Sequence, residues 1–331
     1  MDRTDRDDPE EHLRERCPRE HRALARPIIR AEAGTLDAAA QGPFRARVRP
    51  QRRRVMATKF VTSADGTRIA YETMGQGAPL VFVWGALGVR SSPFAKTMRE
   101  ELAKDFTVFD YDRRGRGESG DTKPYAVARE VEDLREVCEA AGRRPYVAAT
   151  SSGAALALEA AASGVPMKML AAHEPPYMVG NPKDAPDPDY ERKMNELIAR
   201  GKRDEAVKYF MRTVGVPGLF VVAMRFMPFW KDAVAAAHTL PYDAAVMDGF
   251  AFPETRLREV RVPTVVLVGG STTPTLRAAA DATARTVPGA TERVIPKQNH
   301  GVKPAALRPA LVEGFRTATD TGSPNAVSTT T

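Results

Sequence analysis

The chain has 331 residues, of which 43% are hydrophobic and 27% charged, and its formal net charge is +7. This composition is typical of a folded globular protein and excludes a collagen-like or low-complexity chain. No apolar run approaches the roughly 20 residues that cross a bilayer, so we expect no membrane association. The two cysteines, Cys17 and Cys138, form no metal or redox motif. We therefore expect a cytoplasmic protein without a metal ion or a cofactor.

The first 55 residues differ in composition from the rest of the chain. They contain 14 arginines and no lysine against 10 acidic residues, with few apolar residues apart from Pro27-Ile28-Ile29. Such dense mixed charge opposes independent folding, so we predict a disordered or dispensable extension over residues 1–55, with Met56 a plausible start. Residues 45–54 are basic but lack interleaved aromatic residues, so we expect no nucleic-acid partner. We also predict a disordered polar tail over residues 319–331.

An alternation of strand-like and helix-like segments follows the extension. Phe60-Val61-Thr62 and Thr67-Arg68-Ile69-Ala70-Tyr71 flank the turn Asp65-Gly66 and predict an antiparallel hairpin. Short apolar runs near residues 80, 107, 147, 170, 265 and 293 then alternate with helical patterns near 93–104, 127–141, 152–163, 275–287 and 304–317. This alternation predicts an α/β fold with a mostly parallel, eight-stranded sheet that helices cover on both faces.

The turn after the fifth predicted strand carries a candidate nucleophile. Ala149-Thr150-Ser151-Ser152-Gly153 lies between an apolar run over residues 146–149 and an alanine-rich helical pattern. A serine at a sharp strand-to-helix turn, with small residues two positions to either side, is typical of a nucleophile elbow. Ala149 is one methyl group larger than the glycine usual at its position. The alternative is a serine that only caps the following helix.

Two other segments carry the groups that a nucleophilic serine requires. His300 follows the last strand-like run by a short polar turn, which suits a general base, although a surface-loop histidine is the alternative. The run Pro79-Leu80-Val81-Phe82-Val83 ends at Trp84-Gly85-Ala86. The backbone N–H groups of Ala86 and Ser152 are the expected donors of an oxyanion hole, one from each turn.

With these segments in this order, the chain resembles the α/β-hydrolase superfamily over about residues 58–318. The resemblance extends to Asp110-Tyr111-Asp112-Arg113-Arg114-Gly115-Arg116-Gly117-Glu118-Ser119, a loop of the D-x-R-G-x-G-x-S type after the fourth strand. The usual role of this loop in the superfamily is structural. The resemblance therefore assigns no catalytic part to Asp112 or Arg114.

The resemblance also implies a core at residues 56–176 and 262–318, interrupted by a helical cap. Residues 177–261 begin with a proline-rich loop and then show helical patterns near 190–200, 204–214 and 219–227. We assign the apolar side chains Phe226 and Trp230, with Trp84 of the early loop, to a substrate pocket. The alternative is that the apolar residues of this segment only seat the cap on the core.

The third catalytic residue departs from the family pattern. Most members carry an Asp after the seventh strand, but Gly269-Gly270-Ser271-Thr272-Thr273-Pro274 contains no carboxylate. Some branches, haloalkane dehalogenases among them, place the acid after strand six, where this chain has Glu174 followed by Pro175-Pro176. We assign Glu174 to this role. An ordinary carboxylate at a strand end is the alternative, and Asp248 in the cap is a second candidate.

These residues predict a serine hydrolase of the branch with a helical cap. Its catalytic residues are Ser151, His300 and Glu174, and its substrate is a small, largely apolar molecule with an ester-like bond. Carboxylesters, thioesters and lactones all fit this description. Lyase or C–C bond cleavage chemistry stays open, because Trp84 replaces the usual histidine of the oxyanion loop and strand seven lacks its Asp. A catalytically silent binding protein is a third alternative, and a homodimer is compatible with the sequence.

Overall fold

The computed structural model of the chain describes residues 57–179, 187 and 189–320, with side chains as far as residue 316. The extension predicted over residues 1–55, and all but the first two residues of the predicted tail, lie outside this part. The strands are β1 (Lys59–Thr62), β2 (Arg68–Met74), β3 (Ala78–Val83), β4 (Phe106–Tyr111), β5 (Tyr146–Thr150), β6 (Met169–His173), β7 (Thr264–Gly269) and β8 (Thr291–Ile295). The α-helices are α1 (Pro93–Leu102), α2 (Val127–Ala140), α3 (Ser152–Ala162), α4 (Tyr190–Ala199), α5 (Arg203–Thr213), α6 (Gly218–Met224), α7 (Phe229–Ala236), α8 (Leu240–Val246), α9 (Glu254–Leu257), α10 (Pro274–Thr286) and α11 (Pro304–Asp320).

The described strands form one eight-stranded sheet in the order β1-β2-β4-β3-β5-β6-β7-β8. β2 pairs antiparallel with β1 and with β4, and every other neighbouring pair is parallel. The prediction of a mostly parallel eight-stranded sheet is therefore confirmed. The central strands β6 and β7 are buried along their whole length, which explains why their sequences are continuous apolar runs without alternation.

Helices cover both faces of this sheet. Val81 and Val147 point to one face, where they share a core cluster with Leu134 of α2 and Leu156 of α3. Neighbouring residues of the same strands point to the other face and pack against α1 and α11, because successive side chains of a strand alternate in direction. Phe315 of α11 belongs to this second cluster. The carboxyl ends of β3, β5, β6, β7 and β8 consequently meet at one edge of the sheet, where ligands bind in folds of this kind.

A helical insertion, from α4 to α9, connects β6 to β7. The described residues of this connection form six α-helices and two short 3₁₀ turns, Ala237–Thr239 and Asp248–Phe250, and no strand. Helices α8 and α9 pack against α3, the helix that begins beside Ser151. The insertion therefore rests on the core next to the predicted nucleophile. In the described ranges no helix combines the length and the apolar character that crossing a bilayer demands.

Candidate active site

Ser151 occupies the sharp turn between β5 and α3 with a strained backbone. Its φ of 55° and ψ of −131° form a combination that side-chain-bearing residues rarely adopt. Its N–H donates to the carbonyl of His173 at 2.9 Å, which ties the turn to the end of β6. A Cβ on Gly153 would lie 2.5 Å from the carbonyl oxygens of Val83 and Trp84, so only glycine fits there. This close packing holds the turn in the conformation of a nucleophile elbow.

The structure brings Ser151, His300 and Glu174 together as a hydrogen-bonded chain. The Ser151 Oγ lies 3.1 Å from His300 Nε2, and His300 Nδ1 lies 2.7 Å from Glu174 Oε2. The Glu174 side chain is fully buried, whereas 41% of the His300 side chain is exposed and Ser151 is partly exposed. A ligand can therefore reach the hydroxyl and the imidazole but not the carboxylate.

The ionisation of Glu174 fixes which nitrogen of His300 carries the proton. Burial acts to raise the Glu174 pKa, but the hydrogen bonds with His300 and with the Gly269 N–H act in the opposite direction, and the pKa lies below its ordinary value. The Gly269 N–H donates to Oε1 at 2.8 Å. Because an ionised carboxylate can only accept, the Nδ1 of His300 must be the donor. The lone pair of Nε2 then faces the Ser151 hydroxyl.

The conformation of the chain at the end of β6 explains how the Glu174 carboxylate reaches His300. The Glu174 N–H donates to the Leu267 carbonyl at 3.1 Å, and its φ of 46° then turns the chain away from the sheet. A Cβ on Gly269 would lie 2.4 Å from the Gln298 carbonyl oxygen, so the loop that carries His300 crosses directly over the end of β7. Asp248 lies in a 3₁₀ turn of the insertion and makes no hydrogen bond to His300 among the described contacts.

The loop after β3 passes directly beside Ser151. A Cβ on Gly85 would lie 2.8 Å from the Ser151 Cβ and 3.5 Å from its Oγ. The N–H groups of Ala86 and Ser152 find no acceptor among the described residues. Ser152 is the first residue of α3, where N–H groups lack intrahelical partners and the helix dipole favours negative charge. Both predicted oxyanion donors are thus free to bind a ligand.

The indole of Trp84 lies in the core rather than over Ser151. It packs against Phe82 with ring centroids 4.6 Å apart, and its Nε1 donates to Asp110 Oδ1 at 2.7 Å. Trp84 belongs to the core cluster on the α1 and α11 face of the sheet. The ring contacts and hydrogen bonds of the described residues do not connect this indole with Ser151 or His300.

The other two predicted pocket residues lie in the insertion. Phe226 is 87% exposed, whereas Trp230 is 6% exposed and donates from Nε1 to Asp204 at 2.8 Å. No described contact brings either ring to Ser151. A cavity of about 510 Å³ lies between α4 and α5 and contains none of the predicted site residues; it is lined by Lys193, Glu196, Leu197, Arg200, Lys202, Glu205, Lys208, Tyr209 and Arg212.

In the loop after β4, Asp112 and Arg114 have the structural role that the motif suggests. The Asp112 carboxylate accepts from the backbone N–H and the Nε of Arg90, at 2.8 and 3.0 Å. Arg114 is buried between Asp65 and Asp133, which it binds through several hydrogen bonds. These side chains hold the loop in place and do not reach Ser151.

Arg113 and Arg116 of the same loop bind the carboxylate of Asp243, which was not among the residues predicted from the sequence. Both arginines donate to Asp243 of α8 at 2.8 Å, and the Ser152 Oγ donates to the same carboxylate at 2.7 Å. The sequence carries one signal for this role, since Asp243 is the sole acidic or basic residue between Asp232 and Asp248 apart from a histidine. A lone carboxylate in an apolar helix requires a buried partner.

A second histidine lies beneath the site. His173, the last residue of β6, is buried, and its ring stacks on that of His300 with centroids 6.1 Å apart. Its Nε2 is 3.9 Å from Glu174 Oε1, and neither ring nitrogen has a hydrogen-bond partner among the described side chains. Burial lowers the His173 pKa to about 4, although the charge of Glu174 acts in the opposite direction. His173 is therefore neutral at physiological pH.

The sheet order, the strained serine turn and the helices on both faces define the α/β-hydrolase fold. The model of the alpha/beta hydrolase family matches residues 75–313, which is most of the chain. The chain therefore belongs to the alpha/beta hydrolase family. No group of three or more His, Cys, Asp or Glu side chains suited to a metal ion occurs in the described ranges.

Several solved or curated proteins are similar to this chain. A crystal structure of an alpha/beta hydrolase from Sphaerobacter thermophilus is 46% identical, with a TM-score of 0.73, over 78% of this chain and all of that one. A thermophilic esterase from Thermogutta terrifontis shares the fold at 22% identity, with a TM-score of 0.57, over 80% of this chain and 98% of that one. A non-heme chloroperoxidase from Kitasatospora aureofaciens is 24% identical over 77% of this chain and 95% of its own length.

The low pKa of His173 predicts how acid affects stability. Because the folded pKa is about 4 and the ordinary value 6.5, the unfolded chain binds the proton first as the pH falls. The contribution of His173 to the free energy of unfolding is thus fully present above pH 6.5 and is lost as the pH falls from 6.5 to 4. We expect the free energy of unfolding to drop between pH 7.5 and pH 5 by about 1–2 kcal/mol less in His173→Gln than in the wild type. Urea titrations at both pH values measure this difference, and equal drops in the two proteins would contradict the assignment.

Proposed function

We propose that the protein is a serine hydrolase that cleaves an ester-like bond of a small, largely apolar substrate through an acyl-enzyme intermediate. Carboxylesters, thioesters and lactones are the substrate class. The proposal rests on the hydrogen-bonded chain from the Ser151 hydroxyl through His300 to the buried Glu174. A hydroxyl is a weak nucleophile unless a base stands beside it, and this arrangement supplies the base and the group that orients the base.

In the acylation step, the Ser151 Oγ attacks the carbonyl carbon while His300 Nε2 accepts the hydroxyl proton. The imidazole becomes positively charged, and the ionised Glu174 at 2.7 Å from Nδ1 stabilises that charge. The N–H groups of Ala86 and Ser152 hold the negative charge that forms on the carbonyl oxygen. His300 then donates its proton to the leaving alcohol or thiol, the bond to that group breaks, and the acyl group stays on Ser151.

Deacylation repeats these steps with water. His300 Nε2 takes a proton from a water molecule, and the resulting hydroxide attacks the acyl carbon under the same two N–H donors. When the intermediate collapses, the proton returns to the Ser151 Oγ and the acid product leaves. We include in the proposal that the helical insertion forms a cap beside the reacting groups, which the contacts of α8 and α9 with α3 support.

The contacts of Trp84 and Glu174 favour hydrolysis over lyase or C–C bond cleavage chemistry. Two departures from the family pattern raise that alternative in the sequence: Trp84 in the oxyanion loop and the absent Asp after strand seven. The Trp84 indole is held in the core by Asp110, and Glu174 stands at hydrogen-bonding distance from His300. Neither departure therefore removes a group that hydrolysis needs.

Ester turnover should depend on the Ser151 hydroxyl. With p-nitrophenyl esters of increasing acyl length, we expect wild-type turnover and a loss of at least about 10³-fold in kcat for Ser151→Ala, because the nucleophile is gone. Ser163→Ala is the matched control, since it changes a serine at the far end of α3 and should leave kcat unchanged. Absent wild-type turnover across the panel, or full activity in Ser151→Ala, would refute the proposal.

Turnover should also depend on the charge of Glu174. In Glu174→Gln the amide cannot stabilise the positively charged imidazole, so we expect kcat to fall about 10²- to 10⁴-fold, with KM little changed. Asp248→Asn is the matched control, because it neutralises the other candidate carboxylate and should leave kcat near the wild-type value. Steady-state kinetics on the best ester measures both variants. The reverse ranking of the two would assign the role to Asp248.

A further inference from the structure

We propose that Asp243 is a positioning residue that orients both donors of the oxyanion hole. This inference rests on the proposed hydrolase function and adds to it a part played by the helical insertion. Asp243 lies on α8, outside the sheet and its covering helices, and is only 1% exposed. Its carboxylate is bound by Arg113, Arg116 and Ser152, three side chains of the core.

The first donor is controlled through Arg116. Both carboxylate oxygens of Asp243 accept from Arg116 Nη2 at 2.8 Å, and Arg116 Nη1 donates to the Gly85 carbonyl oxygen at 2.7 Å. The Gly85 carbonyl and the Ala86 N–H belong to the same peptide group. Because a trans peptide is planar, fixing the carbonyl in one direction fixes the N–H in the opposite direction. The Gly88 N–H also donates to this carbonyl, at 3.2 Å, so Asp243 acts through Arg116 as one of two groups that set the direction of the Ala86 N–H.

The second donor is controlled through the side chain of Ser152. Its Oγ donates to Asp243 Oδ1 at 2.7 Å, which ties the first residue of α3 to α8. Arg113 Nη1 donates to the same oxygen at 2.8 Å and reaches the Trp84 carbonyl at 3.3 Å. The backbone N–H of Ser152 is therefore held in place by its own side chain. One carboxylate fixes both segments between which an oxyanion would bind.

The charge of Asp243 is essential to this arrangement. Burial acts to raise the Asp243 pKa, but the charges of Arg116 and Arg113 and the hydrogen bond from Ser152 outweigh it and lower the pKa. Glu130 binds Arg113 through two further hydrogen bonds. Among the described residues, Asp243 is the one carboxylate that pairs with Arg116. Without that charge, the Thr239 hydroxyl, at 3.1 Å from Nε, is the side-chain partner that still orients Arg116 toward the Gly85 carbonyl.

Tyr242, the preceding residue of α8, offers a matched control. Its hydroxyl donates to Asp121 at 3.0 Å, and its ring stacks on Tyr125 at 3.8 Å. This residue also ties the insertion to the core, but it touches neither Gly85 nor Ser152. Tyr242→Phe keeps the ring and removes one tie, so it reports the effect of weaker docking alone.

The test compares Asp243→Asn, Ser152→Ala and Tyr242→Phe in the full chain. We expect kcat to fall about 10- to 100-fold in Asp243→Asn and about 5- to 10-fold in Ser152→Ala, with KM within about threefold of the wild type. Affinity for a trifluoromethyl ketone, whose adduct with Ser151 carries an oxyanion, should fall by the same factor as kcat/KM. Tyr242→Phe should leave kcat within about twofold even if its Tm falls.

Three results would overturn the inference. They are wild-type kcat in Asp243→Asn, equal losses of kcat in Asp243→Asn and Tyr242→Phe, or ketone affinity that does not follow kcat/KM. If Asp243→Asn fails to fold, Ser152→Ala provides the test, because it keeps the ion pairs of Asp243 with Arg113 and Arg116. An unchanged kcat in Ser152→Ala would then refute the inference. A wild-type protein without ester turnover is a failure of the proposed function instead. If the wild-type protein turns over esters and the three variants have equal kcat values, only this inference fails.

Discussion

The hydrogen bond between the buried Glu174 carboxylate and the Nδ1 of His300 is the interaction on which the rest of the site depends. It sets the tautomer of the imidazole and aims Nε2 at the Ser151 hydroxyl. A buried carboxylate is costly unless it is paired, and the Gly269 N–H completes the pairing. This contact exists because β6 lies between β5 and β7, so the chain leaves β6 between the serine turn and the loop that carries His300.

A second carboxylate organises the opposite side of the serine turn. Glu174 directly follows β6 and binds the imidazole, whereas Asp243 lies in the insertion and acts on the two N–H donors through Arg116 and Ser152. The core supplies the proposed reacting groups, and the insertion supplies a carboxylate that pairs with the buried Arg113 and Arg116. Through Asp243 the helical insertion, besides its proposed role as a cap, contributes a positioning residue to the proposed active site.

The order of the elements and several residues of the candidate site follow from local sequence patterns. Strand-like runs alternate with helical patterns, and small residues flank Ser151, so the sheet and the serine turn are predictable from a few adjacent residues. Glu174 was a candidate because the chain resembles superfamily branches that place the acid after strand six, and the Pro175-Pro176 pair marks that strand end. His300 was predictable because a polar turn follows the last strand.

The supporting contacts were not predictable, because they join residues far apart in the chain. The sequence suggests a pocket position for Trp84, because it does not show that the indole binds Asp110 on the neighbouring strand. Asp243 lies 127 residues after Arg116, and only the docking of α8 on α3 brings them together. A sequence shows that a lone carboxylate needs a partner, but it does not show which of several arginines that partner is.

Mapping the site of covalent modification by an alkyl fluorophosphonate tests whether Ser151 is the nucleophile that His300 activates. The intact wild-type protein and a His300→Gln variant are treated in parallel, and the modified peptide is sequenced by tandem mass spectrometry. We expect a single adduct on Ser151, with none on Ser152, and a rate of modification that falls at least about 10²-fold without the imidazole. An adduct on another residue, or equal rates in the two proteins, would contradict it.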